Sequence, residues 1–392
     1  MKKTLIFYIL FYCSFFVLSQ DYDYDMLKLI ENNNISELEC WILNRYMNIN
    51  FKNKYGETPL IYAVRINSSN EIIKLLINNG ADINAETNEI TIDMYSFKKG
   101  LDNLTPFICA MLNNNLEIGK ILLKKGVDIN YCPRNDTTPL IEVCKRSGKI
   151  DINAINFLIS NGADVNATTK RNMNLQDTAL LEKLSFKYNI PRPYINTIDL
   201  YIPRSYTDES NKTALIYSVA KIYPVKEVIE LLLKNGADVN IKPQSGRSAL
   251  MEALIFRHKQ IAIYLINNGA DINVKTYGKF GRTYLADYTP LMFASGDDKM
   301  YEVVDLLIKK GVKINDQATD GETALTLAVC LDQLKNVELL LKNGADVSIK
   351  KDNKNLALSY ANQKKILVYD RMKKKKNYKK IIKLLKKYGA KE

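Results

Sequence analysis

The chain has 392 residues, 46% of them hydrophobic and 25% charged, which is enough apolar material for a continuous core and excludes a low-complexity disordered chain. The formal net charge is +13, yet residues 350–392 alone hold fifteen lysines, one arginine and three acids and so account for all of it. The preceding 349 residues carry 40 basic and 40 acidic side chains, so the high pI says nothing about the body of the protein.

The N-terminus has the form of an export signal of bacterial style. Lys2 and Lys3 precede an apolar run from Thr4 to Leu18, and Val17 and Ser19 are small enough to sit before a cut near Ser19 or Gln20. Residues 1–20 are therefore expected to be a signal peptide, with the periplasm or the exterior as the address. An uncleaved anchor helix is the alternative, although about 15 apolar residues are short for a bilayer span of about 20. Phe11 and Tyr12 before Cys13 are too bulky for a lipoprotein signal.

Residues 21–55 are expected to form a degenerate capping unit, with Leu27, Leu29 and Ile30, then Leu38, Trp41 and Ile42, as its core. From 56 to 348 the chain repeats itself. Gly80-Ala81-Asp82-Ile83-Asn84 returns with its glycine at 126, 162, 236 and 269, and in weaker form at 311 and 344. Two of the intervals are 33 residues; the others are that period plus insertions. A second motif lies 21 to 24 residues before each glycine: Thr58-Pro59-Leu60, Thr105-Pro106-Phe107, Thr138-Pro139-Leu140, Thr213-Ala214-Leu215, Ser248-Ala249-Leu250, Thr289-Pro290-Leu291 and Thr323-Ala324-Leu325.

Each piece has a physical role. A Thr or Ser hydroxyl caps free amides at a helix start. Proline at the next position loses no hydrogen bond there. A second apolar run, such as Ile72 to Ile77, ends at a glycine that accepts the left-handed conformation closing a helix. Each unit is thus two short antiparallel helices and an extended turn, marginal alone and stable only when stacked.

Between the Asn ending one unit and the Thr or Ser starting the next, eight residues is the baseline, but three gaps run to 21, 47 and 16. The insertions, 85–102, 168–210 and 275–287, all enter the turn and spare the helices. The longest contains Tyr188, Tyr194, Tyr201 and Tyr206 and is either a degenerate eighth unit, starting at Thr178-Ala179-Leu180, or a protruding loop. Residues 349–392 are expected to be a basic capping unit, with a last helix over Tyr378 to Leu385 and lysines outside. Those lysines read as a solvated cap face; an anionic membrane surface is the second reading, and nucleic acid is not expected because aromatic interleaving is thin.

The two motifs and the 33-residue period resemble the ankyrin repeat, over roughly Asn50 to Ser348 in seven units. The resemblance implies an all-α ankyrin-repeat solenoid with hairpin loops, monomeric, binding another protein and catalysing nothing. One departure is systematic: the family's histidine after T-P-L is replaced by Ile61, Ile108, Ile141, Ile216, Met251, Met292 and Thr326, so apolar contact is expected in place of a Thr–His network. By position in the family's unit, the partner-contact candidates are Tyr55, Tyr62, Arg65, Lys145, Arg146, Tyr217, Gln244, Arg247 and Phe256.

Little else points to chemistry. The single histidine, His258, is expected in a solvent-exposed loop. Beyond Cys13, the cysteines at 40, 109, 132, 144 and 330 have no C-x-x-C spacing and no even count, so no metal site, redox pair or disulfide framework is expected. The glycines fall one per unit as helix stops, not in a phosphate loop, so no cofactor is expected. An enzyme would need its site within Thr168 to Ser210.

Overall fold

Each repeat begins with a hydroxyl cap. In a computed structural model, which describes residues 22–44, 48–87, 104–133, 137–146, 151–169, 211–243, 245–277, 279–280, 283–284, 287–351, 354–367 and 372–391, Thr58 is extended and its Oγ1 accepts the Ile61 amide at 3.3 Å. Thr105, Thr138, Thr213, Ser248, Thr289 and Thr323 do the same for the residue three positions on. Pro59, Pro106, Pro139 and Pro290 occupy the first helical turn, where no amide is needed.

The far end of each repeat is closed just as locally. Gly80 has φ +90°, and a Cβ built on it would meet nothing within 4 Å, so its backbone angle rather than space selects glycine there. The next amide, of Ala81, then returns to the Leu76 carbonyl at 3.1 Å. Asn79, Asn161, Asn235, Asn268 and Asn343 add a side-chain bond to the last turn of the second helix. The Asp of the repeat is turn chemistry: Asp82 accepts the Asn84 amide at 2.9 Å. The Asn that follows staples neighbouring turns together. Asn50 donates to the Gly80 carbonyl and accepts the Asp82 amide, and Asn130, Asn240 and Asn315 repeat both bonds one unit apart.

The chain divides into two compact units, Met1–Ala167 and Thr168–Glu392. In the first, the helices run in pairs: α1 (Tyr22–Glu31) with α2 (Ile35–Leu43), α3 (Pro59–Arg65) with α4 (Asn70–Asn78), α5 (Pro106–Leu112) with α6 (Leu116–Lys124), and α7 (Pro139–Lys145) with α8 (Ile152–Ser160). First helices pack in the order α1, α3, α5, α7, and the second helices α2, α4 and α6 stack beside them. Met26, Ile30, Leu38, Leu60, Leu76, Phe107, Ile118 and Leu158 are buried along this seam. The first helix of the first pair starts at Tyr22, at the head of the expected capping unit 21–55. Met26 joins the core, whereas Leu27, Trp41 and Ile42 are only partly covered.

The second unit pairs α9 (Ala214–Val219) with α10 (Lys226–Lys234), α11 (Ala249–Ile255) with α12 (Lys259–Asn267), α13 (Pro290–Ser295) with α14 (Tyr301–Lys309), α15 (Ala324–Cys330) with α16 (Leu334–Lys342), and α17 (Leu356–Leu367) with α18 (Met372–Lys387). Its first helices stack α9, α11, α13, α15, α17, and its second helices α12, α14, α16, α18. The last helix begins six residues earlier than the pattern Tyr378 to Leu385 suggests.

One joint in this unit is built from polar groups. Gln333 gives α16 no side-chain cap; Asp298 of the preceding repeat does, accepting the Asn336 amide at 3.1 Å and the Lys335 amide at 3.4 Å. Asn336, fully buried, donates to the carbonyls of Ser295 and Asp297 at 3.1 and 3.0 Å.

Two of the turns are short antiparallel ladders. Strand β1 (Lys279–Phe280) pairs with β2 (Thr283–Tyr284) inside the third insertion, and β3 (Lys350–Lys351) with β4 (Lys354–Asn355) before α17. All three insertions leave the stack through the same neck. Thr87 donates its amide to the Leu104 carbonyl at 3.1 Å and accepts the Leu104 amide on Oγ1 at 2.8 Å. Thr169 and Lys212, and Thr276 and Tyr288, make the same reciprocal pair. The uninserted turn at Asn53 and Glu57 is closed in the same register, with Asn53 Oδ1 replacing the threonine hydroxyl. The choice between an eighth repeat and a loop for 168–210 falls on residues outside those described, as do most of 85–102 and the expected signal at 1–20.

At the position of the missing histidine, Ile61, Ile108, Ile141, Ile216, Met251 and Met292 are buried apolar contacts. Thr326 differs: its hydroxyl donates to Glu322 at 2.6 Å and accepts the Thr323 amide at 2.7 Å, so a polar network survives in that repeat.

Candidate interaction surface

The face of the first helices is organised by one recurring contact. The residue just before the cap sits beside the residue five positions later. Thr137 donates to Glu142 at 2.5 Å, Arg247 pairs with Glu252 at 2.8 Å, Lys212 lies over the Tyr217 ring at 5.5 Å, and the rings of Tyr288 and Phe293 are 5.8 Å apart. A helix start folds the pre-cap residue back over its own first turn, so these two side chains meet in these four repeats whatever their chemistry, while the pre-cap Glu57 and Glu322 turn instead to Arg65 and Thr326.

That contact corrects two of the sequence expectations. Tyr217 and Arg247, named as partner contacts, are each only 9% exposed: Lys212 lies over the Tyr217 ring, and Arg247 is folded onto the buried Glu252. Gln244 lies outside the described residues. The other six remain at least partly at the surface, five in the first unit and Phe256 in the second. Tyr55 is exposed at a fingertip beside Lys54, and Tyr62 and Arg65 are half-buried on α3, with the Arg65 guanidinium over the Tyr62 ring at 5.2 Å. Tyr62 also donates to Glu31 of the preceding pair, and Arg65 is ion-paired with the buried Glu57. Burial, then the Glu31 bond, pushes the Tyr62 hydroxyl up to about 12. Lys145 and Arg146 are exposed at the end of α7, where Arg146 donates to the Leu112 carbonyl at 2.9 Å, and Phe256 is exposed at the end of α11.

His258 is not the exposed loop residue expected. It is half-covered at the start of α12; its Nε2–H donates to the Lys221 carbonyl of the preceding repeat at 2.6 Å, and its ring stacks on Phe256 at 5.8 Å. Burial pulls its pKa below the ordinary histidine value, opposed by the bond to Lys221.

Exposed rings that pattern reading passed over also lie here. Tyr131 and Tyr277 are exposed on the fingers, the first donating to Glu86 of the neighbouring finger. Ile222 and Tyr223, the latter 88% exposed, form the turn between α9 and α10. The finger tyrosines had a sequence signal: each directly follows the Asn or Thr that fixes the turn. The Ile222-Tyr223 turn had none. None of Cys40, Cys109, Cys132, Cys144 and Cys330 is in a disulfide; Cys109 and Cys144 are buried, and burial raises the Cys109 thiol to about 12. Among the described residues no group of three His, Cys, Asp or Glu side chains is placed to hold a metal ion, and no helix is long and apolar enough to cross a membrane.

A family model described as "Ankyrin repeats (3 copies)" matches residues 88–169, 189–276 and 280–364, and one described as "Ankyrin repeat" matches 55–88. Among curated proteins the chain is similar to the potassium channel AKT2/3 of Arabidopsis thaliana, 31% identical over 141 residues, which are 36% of this chain and 16% of the channel. It is similar to the ankyrin repeat and KH domain-containing protein mask-1 of Caenorhabditis elegans, 27% identical over 285 residues, 72% of this chain and 10% of that protein. It is also similar to the ankyrin repeat protein OPG189 of Variola virus, 25% identical over 225 residues, 55% of this chain and 35% of that one. The chain thus spans only a minor part of each of these relatives.

Proposed function

The chain belongs to the ankyrin-repeat family, and from that premise we propose that it is a protein-binding scaffold without catalysis of its own, acting after export. The observation that carries this reading is a division of labour in the side chains. The patterned apolar residues are spent on neighbour packing, while Tyr55, Lys145, Arg146 and Phe256 stand exposed on fingers and first-helix ends with no core role. Aromatic rings and arginine are the side chains that yield most binding energy when a partner covers them. The Lys2-Lys3 pair and the apolar run behind it support export to the periplasm or beyond.

The test is a paired capture experiment. The full chain and the quadruple variant Tyr55→Ala, Lys145→Ala, Arg146→Ala, Phe256→Ala are used as baits at matched far-UV circular dichroism. A partner retained by the parent and lost from the variant is the expected result. Recovery of nothing above background, or equal recovery on both baits, counts against these residues as partner contacts. Cell fractionation with N-terminal sequencing of the mature chain tests the address: a chain still starting at Met1 in the cytoplasmic fraction contradicts it.

A further inference from the structure

The last helix carries a charged face that neither stacking nor the protein-binding face uses. Helix α18 is amphipathic in a strict sense. Tyr378, Ile381 and Leu385 are buried against α16 and α17, and the Tyr378 hydroxyl donates to the Cys330 carbonyl at 3.3 Å. Lys379, Lys380, Lys383, Lys386 and Lys387 are exposed, and Lys391 follows. Spacings of three and four residues place Lys379, Lys383 and Lys386, and Lys380, Lys383 and Lys387, on one side of the helix. They extend over about 12 Å at 1.5 Å per residue. The helix sequence contains no acid, and the same helix opens with Lys373 to Lys376. Among the described residues, Lys379, Lys380, Lys383 and Lys387 form no ion pair.

We propose that this face of α18 docks peripherally on an anionic lipid surface. Three features select that partner. The charges are lysines, which act as hydrated point charges toward headgroup phosphates, whereas base reading relies on bidentate arginine. Only Tyr388 among the exposed residues from Asn377 to Lys391 is aromatic, so there is no platform on which single-stranded bases would stack. The apolar side of the helix is already consumed by α16 and α17, so the helix cannot insert and must bind by charge alone. Juxtamembrane lysines act on anionic leaflets within a Debye length, each worth roughly fivefold in affinity.

The full chain is tested by sedimentation with vesicles of phosphatidylcholine, with and without phosphatidylserine. The readout is the preference for the anionic vesicles, which removes any contribution of the apolar N-terminal run. The parent should show a preference of at least about tenfold, abolished by raising salt from about 0.1 M to about 1 M. Lys379→Gln, Lys380→Gln, Lys383→Gln and Lys387→Gln combined should erase it, while the four Lys→Arg changes keep it, both variants melting at the parent temperature. The proposal is overturned if the glutamine variant keeps the preference, if the arginine variant loses it, or if the parent shows none.

Discussion

His258 shows how one side chain ties two repeats together and makes the joint sensitive to pH. Partial burial disfavours the charged imidazole, so its folded pKa is depressed below that of the unfolded chain, against the opposing bond to the Lys221 carbonyl. For a base with a depressed folded pKa, the neutral form's contribution is fully present above the unfolded value of about 6.5 and is lost as pH falls toward the folded one. Stability should therefore drop as pH falls below about 6.5, and His258→Gln, which can still donate to the Lys221 carbonyl, should flatten that slope in urea titrations. An unchanged slope contradicts the assignment. Asn336 is another residue whose chemistry departs from its repeat. Its counterparts are Ile72, Ile118, Ala154, Val228, Ile261 and Val303, all apolar. Asn336→Ala should cost about 1–3 kcal/mol by leaving the Ser295 and Asp297 carbonyls buried without their donor, measured as a lower urea midpoint. Neither residue was legible in the sequence, because each takes its role from backbone groups 37 to 41 positions away. The caps were legible because Thr58 and Ile61 are three positions apart. The burial of Tyr217 and Arg247 was not legible for a related reason: repeat position was matched to an outward-facing site, but Lys212 folds back over Tyr217, and Arg247 is itself a pre-cap residue folded onto Glu252.

At the scale of elements, the turn between repeats tolerates insertion because its neck is independent of what the neck carries. Thr87, Thr169 and Thr276 occupy the same position in the three inserted turns, where the others have Asn53, Pro133, Pro243 and Ala318. A threonine offers both amide and hydroxyl, so it closes the neck without help from the inserted residues. Thr276→Val, which keeps the shape and removes the acceptor, should cost about 1 kcal/mol and speed exchange of the Tyr288 amide more than that of helix α13. Neighbouring fingers also touch through backbone: the Tyr277 amide donates to the Ser245 carbonyl at 2.7 Å, and a Cβ on Gly246 would lie 2.2 Å from the Lys275 oxygen at a φ of +73°. Gly246→Ala should therefore destabilise the second unit by more than about 1 kcal/mol, seen as a lower melting temperature. The insertions themselves were legible as departures from the eight-residue baseline; the shared neck was not drawn from the sequence, because its two partners are separated by 12 to 43 residues.

For the molecule as a whole, stability is a sum over neighbouring helix pairs, since helices of six to nine residues are marginal alone. Within each unit the first helices form one row and the second helices another, so a defect in one pair is felt by the pairs on either side. The 33-residue period made this legible, as each motif marks a cap or a stop that recurs in register. What the period cannot encode is the binding face, whose side chains are free to vary once the core is satisfied. The most direct test is native-state hydrogen exchange on the full chain carrying Leu265→Ala. Leu265 is fully buried in α12, and its truncation should cost about 2–5 kcal/mol. Exchange should rise most in α11 and α12, and next in the flanking α9, α13 and α14. Faster exchange confined to α11 and α12 alone, or a uniform rise through every helix of the second unit, would contradict stability drawn from nearest neighbours.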